Sequence, residues 1–211
     1  MKQPQQISAI IKKDTLPMAT YMSSPSESLA VSQQRAAIVI KRFGDSESFL
    51  KKVSPSTQTG FAAHPDNAIM GDYPTLTDLK QAYGKNFAAI WLVPQIDNLT
   101  LFTGAKNITE QQHEELSKII AAEYGYLKVT ELLLFFHRFK AGHYGRFYGS
   151  VDPMVITCAL RDFIKERNVF IDQYEREQKE REAESKPKVP TMTHEEYLKL
   201  IQKENEQKDK K

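Results

Sequence analysis

The sequence predicts an all-α protein: a small helical bundle with a disordered N-terminal segment and a tethered C-terminal helix. Three observations carry this reading. Capping signatures stand directly ahead of apolar stripes at helical spacing, and glycines stand where those stripes stop. No alternating strand pattern competes with them over most of the chain.

Residues 1–27 are rich in Ser, Gln and Pro with scattered apolar side chains, a composition that predicts disorder. From Ser28 the pattern changes. In "SLAVSQQRAAIVIKRFG", Leu29, Ala36, Ile40 and Phe43 fall roughly on one helical face, and Gly44 fits a C′ position. A short helix over "SESFLKKV" completes an N-terminal helical segment at 28–53. The run "SPSTQTGFAAHPDNAIMGDY" (54–73) reads as a mobile linker, because Ser, Pro, Thr and Gly crowd into it.

The core domain is predicted at 74–170. "YPTLTDLKQAYG" is a helix with Thr75 as N-cap, Asp78 three residues later and Gly84 as its stop. "KNFAAIWLVPQIDNLTLFTG" reads as a helix kinked at Pro94, in preference to two short strands turning at Asp97-Asn98. Thr109 with Gln112 forms a capping box ahead of a stripe of His113, Leu116, Ile120 and Tyr124. In "VTELLLFFHRFKAG", Thr130 is the expected N-cap, with Val129 and Leu134 as a staple and Gly142 as a left-handed C′ residue. Asp152-Pro153 is the clearest start signal, since proline at N1 needs no amide proton. Ile156, Ala159, Leu160, Phe163 and Arg167 make the stripe behind it.

Beyond Asn168 the stripe fades into a charged helix extension and linker (171–191), laced with opposite charges and broken by "KPKVP". A short amphipathic helix is expected over 192–207. Thr193 with Glu196 caps it, and Met192, Tyr197, Leu198 and Ile201 are its apolar residues. Such a helix docks on its own domain, serves as a groove-filling peptide for a protein partner, or stays unfolded.

The bulk composition excludes several classes. The 211 residues are 27% charged with a formal net charge of +2, too small to imply a nucleic-acid or membrane partner by itself. The longest apolar run, "FAAIWLV", ends at Pro94, so no membrane span is expected. With no secretory signal pattern and Cys158 as the single cysteine, a reducing cytoplasm is the expected compartment. Cys158, next to the stripe residue Ala159, reads as a buried inert thiol. His64, His113, His137, His143 and His194 show no metal-ligand spacing, so neither a metal nor a cofactor is expected, and no catalytic constellation emerges.

The stretch "FKAGHYGRFYGSVDP" (139–153) is the one local anomaly. Its glycines match neither a Walker A loop nor a dinucleotide fingerprint, and Asp152 would repel a phosphate from the helix that follows. A tight turn whose aromatics fold onto the core explains the glycines. It does not explain a basic set without acids. Arg138, Lys140, His143 and Arg146, with Tyr144 and Tyr148, are therefore the candidate contacts to a DNA or RNA backbone through the 137–149 loop. The competing readings are a protein-interaction adaptor with a merely structural loop, and an enzyme whose His137 or His143 meets a carboxylate in a pocket.

From Asn107 to Asn168 the pattern resembles a family of uncharacterised small helical proteins from bacterial phages and conjugative elements. Lys140, Gly142, Tyr144, Gly145, Tyr148, Asp152, Glu166 and Arg167 carry the likeness, while Gly149 and Pro153 depart from it. The plan is also similar, at the level of architecture alone, to phage helicase-loader domains. The resemblance implies a non-catalytic accessory protein in replication or maintenance of a mobile element, binding nucleic acid, a replication partner, or both.

Overall fold

The structure is a computed structural model that describes residues 25–104, 108–145, 147, 150–185 and 197–199, the first five as backbone. The described residues form helices joined by turns and loops, with no strand and one isolated antiparallel bridge between Thr75 and Lys128. The chain divides into two compact units between Ile164 and Lys165. The disorder expected at the N-terminus lies outside the described residues, as do most of 192–207 and the residues Arg146, Tyr148, Met192 and Ile201.

In the first unit, α1 (Pro25–Phe43) packs on α5 (Leu76–Tyr83). Its buried face is Val39 and Phe43, whereas Ile40, expected on that face, is exposed. Helix α2 (Ser46–Lys52) is capped by Asp45, whose carboxylate accepts the Ser48 N–H at 2.9 Å. Thr75 and Asp78 cap each other's backbone at the start of α5, as the sequence predicts.

The stretch read as a mobile linker is a correction. Residues 54–73 hold a 3₁₀ turn (Pro55–Thr57) and two short helices, α3 (Gln58–Ala63) and α4 (Pro65–Met70). Pro55 and Pro65 both stand at helix starts, where a missing N–H does no harm. Ala68 and Ile69 are buried, and α3 and α4 pack on α8 (Val129–Lys140). Thus 28–73 belongs to the same compact unit as the body.

Helix α6 (Phe87–Thr103) runs through Pro94, so the two-strand alternative falls. Its buried side includes Trp91, Leu92, Ile96 and Leu99, and it packs against α7 (Glu110–Glu123) and α8. The Thr109–Gln112 capping box forms as expected. Helix α8 is the centre, with every side chain from Val129 to Phe136 buried. Its N-cap is Lys128, two residues before the predicted Thr130. The Glu131 carboxylate accepts the Lys128 backbone N–H at 2.8 Å, and the buried Thr130 hydroxyl donates to the Ala68 carbonyl at 2.7 Å. Helix α9 (Pro153–Ser185) begins as predicted, with Asp152 Oδ1 accepting the Met154 N–H at 2.8 Å. Ile156, Ala159, Leu160 and Phe163 form its buried stripe.

The second unit contains the rest of α9, which runs on to Ser185 as the charged helix extension expected from the sequence. Its surface is charged, with Glu177–Arg181 at 3.6 Å and Glu175–Lys179 at 4.0 Å one turn apart. Exposed pairs of this kind add only a few tenths of a kcal/mol each.

One polar pair in the core is incompletely satisfied. Gln58 Nε2 donates to Gln95 Oε1 at 2.9 Å, while Gln58 Oε1 and Gln95 Nε2 are buried without a protein partner among the described residues. Replacing Gln58 alone by Met orphans Gln95 further and is expected to destabilise by about 1–3 kcal/mol. The double replacement Gln58→Met with Gln95→Met is expected to recover most or all of that loss. Urea unfolding of the two variants checks it, and a double variant weaker than the single one refutes it.

Candidate functional site

The 139–153 loop is held from both ends. Gly142 (φ 87°) and Gly145 (φ 92°) adopt left-handed conformations, and the Gly142 and His143 amides donate to the Phe139 and Arg138 carbonyls at 2.9 and 3.1 Å. Tyr144 lies against Phe135 and Phe139, with ring centroids 5.7 and 6.1 Å apart, and Phe147 stacks on Phe139 at 5.3 Å. Tyr144, half-buried, and Phe147 thus pack on rings of α8.

Of the predicted basic set, Arg138, Lys140 and His143 are among the described residues. Arg138 and Lys140, two residues apart, point to different sides of α8. The Arg138 guanidinium sits 5.9 Å from the Phe163 ring on α9. Lys140 Nζ donates to Asn98 Oδ1 of α6 at 2.7 Å and lies 5.8 Å from the Phe102 ring. Burial holds this ammonium below the usual lysine range. His143 is exposed. Burial, then the Lys140 and His143 charges, hold His137 below the usual histidine range, so its imidazole is neutral at pH 7. Lys140, His137 and His143 form a loose group on one side, joined by Phe102, which is 64% exposed.

The histidine that meets a carboxylate is His113. Its Nε2 lies 3.1 Å from Asp97 Oδ1, at ion-pair distance but without hydrogen-bond alignment. The pair lines a pocket of about 530 Å³ with Thr100, Glu110 and Glu114. The Thr100 hydroxyl is committed to the Asp97 carbonyl and Glu114 to Lys118, so the arrangement ties α6 to α7.

A groove of about 450 Å³ lies between α7 and the start of α9. Leu116, Ile119 and Tyr124 form one wall, and Pro153, Met154, Thr157 and Cys158 the other. Met154 is 72% exposed and Ile119 is 44% exposed, so two large apolar side chains face water across it. Glu115 and Glu123 stand on the α7 edge and Arg161 on the α9 edge. Arg161 Nη2 donates to Cys158 Sγ at 3.2 Å. Cys158 itself is exposed, which corrects its reading as a buried thiol. One position along a helix is about 100°, enough to carry it from the stripe to the groove wall.

Sequence reasoning missed this groove because it followed each stripe separately. Ile119 and Met154 are apolar residues that belong to neither stripe, and that was the available signal. Of the predicted partner-docking residues, Tyr197 and Leu198 are helical and exposed. No group of metal-binding side chains and no helix long and apolar enough to cross a membrane occurs among the described residues.

No curated protein and no solved structure matches the chain. Residues 107–209, a stretch that takes in α7, α8, α9 and the whole of the groove, match the model of DUF6633, a family of unknown function.

Proposed function

We propose that the protein is a non-catalytic binding module that holds an amphipathic helix of a protein partner in the groove between α7 and α9. The carrying observation is the pair Met154 and Ile119, exposed on facing walls of a groove of about 450 Å³. Large apolar side chains left in water at a concave surface mark a docking site. The charge at its edge selects the partner. Glu115 and Glu123 have no ion-pair partner among the described residues, so the incoming helix carries basic residues along its flank. The α7 wall, from Gln112 to Glu123, spans roughly 16 Å at 1.5 Å per residue, which is three turns of a helix. That the groove lies within the family-matched stretch supports this reading over other surfaces.

A fluorescein-labelled 14-residue model helix tests it, with Leu along one face and Lys elsewhere. Fluorescence anisotropy is expected to show binding that Ile119→Asp with Met154→Asp weakens at least tenfold, about 1.4 kcal/mol. Glu115→Lys with Glu123→Lys is expected to shift preference to a Leu/Glu helix. Equal binding by all three proteins sinks the reading.

A second reading keeps the nucleic-acid contact and rests on Phe102, an exposed ring beside Lys140, His137 and His143. Base stacking on such a ring is worth about 1–3 kcal/mol. In this version the protein is an accessory factor in the replication or maintenance of a phage or mobile element, the setting the resemblance implies. Anisotropy of labelled single- and double-stranded oligonucleotides at two salt concentrations decides it. Salt-sensitive binding that Phe102→Ala with Lys140→Gln removes favours it, and absence of binding at low salt excludes it.

A further inference from the structure

A second pocket, of about 310 Å³, lies between α1 and the Asp72–Thr75 segment, and the helix-holding groove makes no use of it. Its apolar lining is Ile38, Val39, Phe43 and Pro74. Three cations line it as well, Arg35 and Arg42 from α1 and Lys128 from the start of α8.

Arg42 is fixed in an unusual way for a surface arginine. Its guanidinium lies 5.3 Å from the Phe43 ring and 4.9 Å from the Tyr73 ring, and Nη1 donates to the Asp72 carbonyl at 2.5 Å. Holding a planar fork against two rings removes the rotamer freedom that an arginine ordinarily loses on binding. Lys128 is anchored as well. Nζ donates to the Ile69 and Gly71 carbonyls at 2.7 and 2.8 Å, and an ammonium group has a third proton to offer.

Two carboxylates share the lining. Asp78 Oδ2 is occupied by the Thr75 N–H and hydroxyl at 2.9 and 2.8 Å, and Oδ1 stands 4.0 Å from Arg35 Nη1. Asp72 is exposed at the rim. Three cations against two carboxylates leave the pocket net positive.

Gly71 shows how closely this corner is built. A Cβ there would lie 2.3 Å from the Asn67 carbonyl oxygen and 2.8 Å from Tyr73 Cε2, so the Tyr73 ring sits where it does only because residue 71 has no side chain.

The geometry points to a binding site for a small organic anion. Its acidic group, a carboxylate or a phosphate, meets the Arg42 fork with Arg35 and Lys128 nearby, and its apolar body lies on Ile38, Val39 and Phe43. A volume of about 310 Å³ is at the low end for ligand sites, which suits a single ring or a short chain. Bidentate contact with guanidinium is the strong form of such recognition.

Isothermal titration calorimetry of the full chain tests this with three probes: phenyl phosphate, benzoate and uncharged benzyl alcohol. The first two are expected to bind, and whichever binds tighter identifies the headgroup. Arg42→Met is expected to weaken that binding at least tenfold, with benzyl alcohol silent throughout. Should Arg42→Met fail to fold, Arg35→Met carries the same test, because the Arg35 side chain is mostly exposed and its partner Asp78 keeps its bonds to Thr75. Absence of heat at millimolar anion, equal binding by the variants, or equal binding of benzyl alcohol overturns the proposal.

Discussion

Phe135→Ala is expected to destabilise the first unit by about 3–5 kcal/mol, the range for removing a large buried ring. Phe135 is fully buried in α8, and four other rings surround it. Phe136 lies 5.1 Å away, Phe139 6.0 Å, Tyr144 of the loop 5.7 Å, and Phe163 of α9 5.7 Å. Truncation opens a void that three different segments line, so none can close it without moving its own backbone. Tilted and edge-on rings add about 0.5–1.5 kcal/mol per pair beyond area burial. Urea unfolding followed by circular dichroism gives the number. The control is Phe135→Leu, expected to lose much less because it keeps most of the volume. Equal losses for Ala and Leu would show that the rings, not the volume, carry the effect. A wild-type midpoint for the Ala variant would show that the cluster is not a packed one.

The second large effect is expected at Trp91, the single tryptophan of the chain. Its ring is fully buried in α6, and Nε1 donates to the Val53 carbonyl at 2.7 Å. Val53 is the residue that closes α2, since its own N–H returns to the Phe49 carbonyl. Trp91→Ala combines cavity and lost bond, about 3–5 kcal/mol. Trp91→Phe keeps much of the volume yet orphans the carbonyl, about 1–3 kcal/mol. Native tryptophan emission is expected at the blue end, as an indole shielded from water requires. Emission like that of the free amino acid would contradict the burial of Trp91.

Helices with a local start signal were legible in the sequence. Thr75–Asp78, Thr109–Gln112 and Asp152-Pro153 each advertise a cap within four residues, and each cap formed. What stayed hidden needs contacts distant in sequence. Pro55 and Pro65 look like breakers until α3 and α4 are seen to pack on α8. Thr130 looks like a cap until Ala68, 62 residues away, claims its hydroxyl. The basic loop shows the same limit in the functional reading. Arg138 and Lys140 are two residues apart in sequence, but two helical steps of about 100° carry them onto different neighbours, Phe163 and Asn98. The groove needs two helices at once, and the Arg42 pocket needs α1, the 72–75 segment and Lys128 together.

The bonds that close the chain between Gly44 and Gly71 share one pattern. Tyr83 donates to the Gly44 carbonyl, Trp91 to Val53, Thr130 to Ala68, and Lys128 to both Ile69 and Gly71. Apart from Gly44, which follows the 19-residue α1, each carbonyl satisfied by a later side chain lies near the end of a short helix of six or seven residues. Helices of six or seven residues do not persist alone, because nucleation outweighs the few bonds they gain. This part of the protein therefore has no folding code of its own. Its amide protons are expected to exchange with solvent as a block through one shared opening rather than helix by helix, which hydrogen exchange would read directly.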